Sequence, residues 1–289
     1  MKVVVGGGTG FLGSALAHAL RTEGHDVVIL TRRVRDASDV RWEDAAAAID
    51  GADVVVNLAG EPLDAGRWTA ARKASILKSR VAPTKTIVNA IGRATRRPRV
   101  LLSASAVGIY GNRGSDAVTE ESTAGSDFLA TSCVAWEAAA MEAAWATRVV
   151  LIRSGLVLDR NHGALPRTAA PFKLFVGGPL GSGDQYWSWI HRDDWTRMVR
   201  WAIDASNLTG PLNVTAPAPV TNREFARAVG RALHRPSIMP APAFALRLVL
   251  GEMANAMVLS GQRVLPAKAG RGGFEFRYPD LDAALTQIY

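Results

Sequence analysis

The chain has 289 residues, of which 48% are hydrophobic and 21% are charged, with 34 Lys and Arg against 26 Asp and Glu. This composition is too apolar for a disordered chain, and the 27 glycines are too scattered for a collagen-like repeat. The length suits one large domain or two closely packed ones, and the net charge of +8 leaves nucleic acid, anionic lipid and phosphorylated small molecules open as partners.

The first half of the chain alternates short apolar runs with helical patterns. We predict strands in five segments: Lys2–Val5, Asp26–Leu30, Asp53–Asn57, Val100–Leu102 and Arg148–Ile152. Helices are predicted between them: Phe11–Thr22, Thr69–Ser79, Thr84–Arg93 after a break at Pro83, and Phe128–Ala146. This alternation predicts an α/β fold, a doubly wound parallel sheet with helices on both faces.

The second half is less regular. Residues 161–192 are rich in Gly, Pro and Trp, and they are predicted to form loops and short strands. We predict a helix over Asp193–Asp204 with Asp193 or Asp194 as its N-cap, a strand over Pro211–Val214, and an amphipathic helix over Asn222–Leu233.

A glycine-rich turn joins the first strand to the first helix. The segment 6–13 contains the pattern G-x-G-x-x-G as Gly8, Gly10 and Gly13. Glycines at these positions allow a tight turn and let backbone N–H groups approach a pyrophosphate at the positive end of the helix. Because the pattern directly follows a strand and opens a helix, it predicts a Rossmann-like dinucleotide site.

The end of the second strand indicates which dinucleotide is bound. An NAD site places a carboxylate there for the ribose hydroxyls, but this chain has Thr31, Arg32 and Arg33. Guanidinium groups bind a 2′-phosphate, which a carboxylate would repel, so we predict NADP(H) as cofactor. The alternative is that both arginines are solvated surface charges, and Asp36 is the one nearby acid that argues for NAD.

Several further motifs follow the same order as in a known superfamily. They are GGGTGFLG at 6–13, NLAGEP at 57–62, RWT at 67–69, SRV at 79–81, SASAVGIYG at 103–111, WIH at 189–191 with Asp194, and GEM at 251–253. With these motifs the whole chain resembles the extended short-chain dehydrogenase/reductases. It is most similar to the atypical branch labelled "epimerase family protein", which is sugar-nucleotide-epimerase-like and also carries the label SulA-like cell-division inhibitor.

The resemblance implies a domain organisation and a cofactor site. It implies an NADP-binding domain over 1–160, joined by 193–215, and a smaller interleaved C-terminal substrate domain over 161–192 and 216–289. The residues expected at the cofactor, from the glycine turn, the second strand and the resemblance together, are Gly7, Thr9, Gly10, Phe11, Leu12, Gly13, Thr31, Arg32, Arg33, Asn57, Leu58, Ala59, Gly60, Arg80, Ser103, Gly155, Leu156 and Val157.

The catalytic pair of the superfamily is missing. Its active members use Tyr-x-x-x-Lys for proton transfer, but no lysine of this chain has a tyrosine four positions before it. By resemblance Cys133 stands near the Tyr position and Glu137 near the Lys position, while Ser105 matches a catalytic Ser/Thr. We therefore take Ser105, Cys133 and Glu137 as catalytic candidates. The alternatives are a small buried helix residue for Cys133, an ion pair for Glu137 and a strand-end hydrogen bond for Ser105.

Other polar and aromatic groups have competing interpretations. His191 with Asp194 has the look of a catalytic dyad, but its spacing also fits a strand end followed by a helix cap. Arg67 and Arg80 follow the third strand, where they are placed to receive an anion. The cluster of Trp187, Trp189, Trp195 and Trp201 is either a wall of the substrate pocket or aromatic packing between domains.

The remaining signals concern compartment and partners. A single cysteine excludes an internal disulfide, and no signal peptide or long apolar run is visible, so we expect a cytoplasmic protein without a membrane span. The histidines have no metal-ligand spacing, and no nucleic-acid motif accompanies the positive charge. We expect no metal, no nucleic acid, a small-molecule substrate, and a monomer or homodimer.

The sequence leaves two functions in competition. The first is an NADP(H)-dependent oxidoreductase or epimerase with unusual acid–base groups, which the intact cofactor motif favours. The second is a non-catalytic NADP(H)-binding regulator of cell division or the envelope, which the missing Tyr-x-x-x-Lys pair favours. A nucleic-acid or membrane-surface binder ranks last because only the net charge supports it.

Overall fold

A seven-stranded parallel sheet forms the centre of the protein, whose computed structural model describes residues 1–289. The strands are β1 Lys2–Gly6, β2 Asp26–Thr31, β3 Asp39–Arg41, β4 Val54–Asn57, β5 Val100–Ala106, β6 Ala117–Val118, β7 Arg148–Ser154, β8 Leu156–Leu158, β9 Tyr186–Trp187, β10 Trp189–His191, β11 Gly210–Val214, β12 Val220–Thr221 and β13 Arg263–Val264. Across the central sheet their order is β11-β7-β5-β4-β1-β2-β3, and every neighbouring pair is parallel.

Ten helices surround this sheet and the smaller strand pairs. They are α1 Phe11–Thr22, α2 Ala45–Ile49, α3 Ala70–Arg93, α4 Phe128–Met141, α5 Leu165–Lys173, α6 Arg192–Asp204, α7 Asn222–Leu233, α8 Ala243–Leu250, α9 Ala267–Arg271 and α10 Leu281–Ile288. The apolar sides of α1 and α6 cover one face of the sheet, and those of α2, α3 and α4 cover the other. The chain therefore has the three-layer arrangement expected of alternating strands and helices.

Strand β1 is the topological switch point of the sheet. Val3, Val4 and Val5 are fully buried because helices cover both faces of this strand. Val4 aligns with Val28 of β2 on one side and with Val55 of β4 on the other. In open parallel sheets of this kind, the crevice beyond the carboxyl end of the switch-point strand is where ligands bind.

A second apolar cluster lies in the C-terminal part of the chain. Helices α5, α7 and α10 contribute Phe172, Phe225 and Leu285, which are buried together with Trp189 of β10. Three two-stranded pairs border this region: β8 with β10, β9 with β12, and β6 with β13. The proposed division into two domains stays a prediction.

The predicted doubly wound parallel sheet is confirmed, and the helix over Asn222–Leu233 has the predicted bounds. A capping box fixes the start of that helix, because the Thr221 hydroxyl accepts from the Glu224 N–H and the Glu224 carboxylate accepts from the Thr221 N–H.

The predicted break at Pro83 is wrong, because α3 runs unbroken through that residue. Proline removes one N–H from the helical ladder, and packing of α3 between α2 and α4 outweighs that local cost.

The predicted N-cap of α6 is also wrong. His191 holds the position, and its Nδ1 accepts from the Asp193 N–H at 3.1 Å. Helix α4 ends at Met141 rather than Ala146, and α5 falls in a segment predicted as loop and strand.

Candidate functional site

The glycine turn between β1 and α1 has the geometry that only glycine permits. Gly7 has a φ of +78°, and a Cβ there would lie 2.7 Å from the backbone carbon of Leu58. A Cβ on Gly13 would lie 2.2 Å from the carbonyl oxygen of Gly7. No side chain caps α1, whose N-cap is the exposed Gly10, so its first-turn N–H groups are open to an anion.

One side of this turn is covered by a segment from the second half of the chain. The Phe11 ring stacks on the His162 ring, with centroids 5.2 Å apart and an interplanar angle of 9°. Asp159 fixes this segment, because its carboxylate accepts from the backbone N–H groups of Asn161 and His162. Thr9 and Gly10 remain exposed beside the stack, which leaves the helix end accessible.

Two free guanidinium groups lie at the carboxyl end of β2. The buried Thr31 hydroxyl donates to the carbonyl oxygen of Arg33 and accepts from its N–H, which shapes the backbone there. The side chains of Arg32 and Arg33 are exposed and bind no other part of the chain. The Asp36 carboxylate accepts from the Ser38 N–H at 2.8 Å and the Ser38 hydroxyl at 2.5 Å, so it is engaged within its own turn.

The loop after β4 forms the floor of the crevice. Asn57 is fully buried; its Nδ2 donates to the Thr84 hydroxyl at 2.8 Å and its Oδ1 accepts from the Ala59 N–H at 3.2 Å. The Leu58 N–H donates to the carbonyl oxygen of Gly6, which ties this loop to β1. Asn57 therefore shapes the segment 57–60 from beneath, and the backbone of that segment faces the glycine turn.

Five other residues predicted at the cofactor have their own protein partners or surroundings. Arg80 donates to the carbonyl oxygens of Ile76 and Glu61, both at 3.1 Å. Ser103 aligns with Asn57 in the sheet, is fully buried, and has a hydroxyl without a hydrogen-bond partner. Val157 belongs to the hydrophobic core, while Gly155 and Leu156 are half-buried at the end of β7. Their contact with a cofactor stays a prediction.

The three catalytic candidates, Ser105, Cys133 and Glu137, lie close together at the carboxyl end of β5. The Ser105 hydroxyl donates to the Glu137 carboxylate at 2.6 Å, with Ser105 on β5 and Glu137 on α4. Arg153 on β7 closes on the same carboxylate with two bonds of 2.8 Å, from Nε to Oε1 and from Nη2 to Oε2. Glu137 was predicted to be either a catalytic group or a member of an ion pair, and in the structure it forms an ion pair with Arg153.

Arg153 is the central residue that the sequence motifs did not single out. It is 7% exposed and follows four apolar residues of β7. A charged residue at the end of such a buried strand requires a buried partner of opposite charge. This requirement could have identified Arg153 from the sequence. Burial alone lowers the pKa of Arg153, but the hydrogen bonds and charge of Glu137 raise it above its ordinary value. The side chain is a permanent cation beneath the site.

A buried polar network extends from this ion pair to the far strand of the sheet. Arg153 Nη1 donates to the Tyr110 hydroxyl at 2.9 Å, and that hydroxyl donates to Asn213 Oδ1 at 2.6 Å. The Asn213 N–H in turn donates to the Glu120 carboxylate at 3.1 Å. Burial raises the pKa of Tyr110. Tyr110 is therefore a neutral structural link and not a replacement for the missing catalytic tyrosine.

The Cys133 thiol lies in an environment that keeps its proton. Burial and then the negative charge of Glu137 raise its pKa to about 11. The side chain is 7% exposed and packs with Ile109 and Val118. Because a thiol is nucleophilic only as thiolate, this environment argues against Cys133 as a nucleophile and for a neutral S–H beside Ser105.

The other candidate residues from the sequence have structural roles. His191 caps α6, with its Nε2 2.8 Å from Gln287, and Asp194 accepts from the N–H groups of Arg277 and Tyr278, so the two form no dyad. Arg67 donates to the carbonyl oxygen of Leu248 at 2.7 Å. The four tryptophans are distributed through packing contacts; Trp189 and Trp195 are fully buried in separate clusters.

Comparison with known proteins places the chain among its relatives. The profile of the NAD dependent epimerase/dehydratase family matches residues 3–214, and a domain of unknown function matches residues 241–288. Epimerase family protein ML0860 of Mycobacterium leprae is 41% identical over 291 residues, which cover 98% of this chain and 94% of that protein. Epimerase family protein YfhF of Bacillus subtilis is 40% identical over 299 residues, covering 100% and 98%.

Solved structures match over the full length, and one of them belongs to a relative from the same family. It is the crystal structure of human epimerase family protein SDR39U1 with NADPH, at a TM-score of 0.95 and 36% sequence identity. The match covers 100% of this chain and 99% of that chain.

The glycine turn generates a first prediction. Gly13→Ala should lower the free energy of unfolding by about 1–3 kcal/mol, because the new methyl group meets backbone atoms. The matched control is Gly10→Ala, whose Cβ would lie 3.4 Å from the Gly7 oxygen and should cost less than about 1 kcal/mol. Urea unfolding of the cofactor-free protein measures both, and equal losses would contradict the proposed crowding.

The Cys133 environment generates a second prediction. At pH 8 the folded protein should react with iodoacetamide at least about 100-fold more slowly than the urea-unfolded chain, since raising a thiol pKa from about 9 to about 11 lowers its thiolate fraction by that factor. Mass spectrometry of the single cysteine gives the rate. An equal rate in the folded and unfolded chains would show that the thiol is not held neutral.

Proposed function

Because the chain belongs to the NAD dependent epimerase/dehydratase family, we propose that it is an NADP(H)-dependent oxidoreductase or epimerase of a small molecule. The observation that carries the cofactor choice is the pair of unpartnered guanidinium groups of Arg32 and Arg33 at the end of β2. The human relative SDR39U1, which this chain matches over its full length, was crystallised with NADPH. That structure supports the choice of NADP(H) over NAD.

The residues of the crevice fit this dinucleotide. The open N-terminus of α1 and the cradle of Gly7 and Gly13 suit a pyrophosphate, because side chains there would fill the space. Arg32 and Arg33 suit the 2′-phosphate, and by resemblance the segment 57–60 would run beneath the cofactor. When bound, NADP(H) supplies a nicotinamide that gives or accepts a hydride.

Ser105 is the residue we assign to the substrate oxygen. Its own proton is directed to Glu137, so the lone pairs of its oxygen are available to accept a hydrogen bond from a substrate hydroxyl. Glu137 and Arg153 act as positioning residues, because their two-bond ion pair fixes the rotamer that holds the Ser105 proton. The neutral Cys133 thiol adds a weak donor next to that oxygen.

The non-catalytic regulator remains the second candidate. The observation in its favour is that Glu137, at the position of the usual lysine, is occupied by Arg153 and is not a free acid or base. A regulator of cell division or the envelope would need the cofactor site but not the Ser105 hydroxyl. The two functions therefore differ in what Ser105→Ala does.

Other aspects of the biological setting rest on the sequence. None of the helices combines the length and apolar composition that crossing a bilayer requires. A cytoplasmic location, a monomer or homodimer, and the absence of nucleic-acid partners stay predictions. The substrate is assigned only as a small molecule.

The cofactor choice predicts a selective loss of affinity. The double substitution of Arg32→Ala and Arg33→Ala should raise the Kd for NADPH at least about 10-fold, because each charge-assisted bond contributes about 1.5–3 kcal/mol. The Kd for NADH should stay within a factor of two. Isothermal titration measures both, with the double substitution of the exposed Arg223→Ala and Arg227→Ala on α7 as a charge-matched control. Equal losses for the two nucleotides would contradict a 2′-phosphate site.

The catalytic role predicts a loss of turnover without loss of binding. In NADP⁺ reduction assays with a panel of alcohols and nucleotide sugars, whose hydroxyl groups can donate to the Ser105 oxygen, Ser105→Ala should lower kcat about 100-fold while the Kd for NADPH is unchanged. Ser105→Thr keeps the hydroxyl and should retain most activity. If the wild-type protein binds NADPH tightly but turns over none of these compounds, the regulator becomes the better account.

A further inference from the structure

A cavity of about 350 Å³ lies between α5, α7 and α8, apart from the polar network around Arg153. Its volume corresponds to about a dozen water molecules at about 30 Å³ each, which is far more than the gaps between close-packed side chains. The size falls in the range of small-molecule sites. The cavity therefore has the size of a small-molecule site rather than of a gap between packed side chains.

The wall of the cavity is apolar and adaptable. Phe172 of α5, Phe225 of α7 and Leu246 of α8 contribute three sides. Met239 and Met257 complete the wall, and methionine side chains adjust readily to the shape of a ligand.

Most polar side chains of the cavity wall have hydrogen-bond or ion-pair partners within the protein. Arg167 forms an ion pair with Asp64, so the one cation of the wall is neutralised. The Thr168 hydroxyl donates to the carbonyl oxygen of Ala164, and Asn222 Oδ1 accepts from the Leu180 N–H at 2.7 Å. A ligand phosphate would find no free guanidinium or ammonium group here. The chemistry of the wall selects an uncharged occupant.

The surface around the cavity is also apolar. Most of the exposed large apolar side chains of the protein lie in 174–176, 238–239 and 244–257, the segments from which the cavity wall is also built. Helix α8 has no buried residue; Leu246 faces the cavity, while Leu248 is 74% exposed. Apolar patches of this kind mark binding sites on soluble proteins.

The cavity also adjoins the nucleotide crevice. Helix α5 begins two residues after Gly163, where a Cβ would lie 3.4 Å from the Phe11 ring of the glycine turn. Asp64, also in the cavity wall, lies four residues after the segment 57–60 that forms the crevice floor. The cavity wall, which includes Ala164, therefore continues into a segment that contacts the glycine turn.

We propose that this cavity binds an uncharged apolar group, an alkyl chain or an aromatic ring, of the small-molecule ligand. That this ligand is the substrate rests on the proposed function. The apolar wall and the neutralised Arg167 favour a compound with a hydrocarbon portion over one that places phosphates in this space.

The test uses the full chain and the uncharged fluorescent probe N-phenyl-1-naphthylamine. The wild-type protein should bind one probe saturably. Leu246→Glu should weaken binding at least about 10-fold, because it places a carboxylate in the apolar space. Leu248→Glu is the matched control on the same helix, with the same charge on the exposed side, and should change the affinity less than about 2-fold.

A second variant tests the same cavity without a charge. Ala241 lines the cavity and is half-exposed, so Ala241→Trp fills the space with an apolar ring and should also weaken probe binding at least about 10-fold. Circular dichroism and the Kd for NADPH, which should be unchanged in all three variants, show that each one is folded.

Three results would overturn the inference. They are the absence of saturable probe binding, equal losses in Leu246→Glu and Leu248→Glu, and a dimer in sedimentation that excludes the probe and that Leu248→Glu dissociates. Failure of the proposed function has a different signature. In that case the wild-type protein binds the probe in the cavity but either does not bind NADPH or binds it and turns over no compound of the panel.

Discussion

The buried ion pair between Glu137 and Arg153 organises the functional end of the protein. It joins α4 to β7, and through the Ser105 hydroxyl it also fixes the end of β5. Through Tyr110 it reaches Asn213 on β11, the outermost strand of the sheet. Removing one member of such a pair typically costs about 3–5 kcal/mol, because the remaining charge stays buried without a partner. The positions of the groups around the crevice therefore depend on this one contact.

The pair also sets the electrostatics around Cys133 and Glu137, which by resemblance stand near the tyrosine and lysine positions of the superfamily. Here the helix supplies a thiol and a carboxylate one turn apart, and the cation comes from a strand on the other side. The carboxylate raises the pKa of the Cys133 thiol, and the guanidinium balances the carboxylate. The result is a site of neutral donors and acceptors above a closed pair of charges, which suits the orientation of a polar substrate better than the activation of a strong nucleophile.

Local signals in the sequence were enough for the sheet, the glycine turn and several helices. The turn at 6–13 and the bounds of the helix Asn222–Leu233 are encoded by adjacent residues, so they could be predicted. Helix α5 contains two prolines and has no clear periodic pattern, and α3 continues through Pro83 because of neighbours that local rules do not include. In both cases tertiary packing overrides local preference.

Ser105, Cys133 and Glu137 were selected from their positions in the sequence, but Arg153, the ion-pair partner of Glu137, was not. Glu137 and Arg153 are 16 residues apart on different elements, and only the fold shows that they meet. The cavity beside α8 is even harder to predict from the sequence, because its wall combines segments from Asp64 to Val258. The ion pair and the cavity both depend on packing between distant parts of the chain. Rules based on residue spacing within one helix or strand cannot predict them.

The order of strands in the sheet has a consequence for how the chain is made. Strand β11 pairs with β7, with Gly210 opposite Val150, so the sheet gains its last strand about 60 residues after its neighbour leaves the ribosome. At roughly 5–20 residues per second, the outer edge of β7 stays unpaired for about 3–12 s. Until then Tyr110 has no Asn213 to bind. The sheet therefore cannot cover the outer edge of β7 before β11 has been synthesised, and an uncovered strand edge is a site where chains can aggregate.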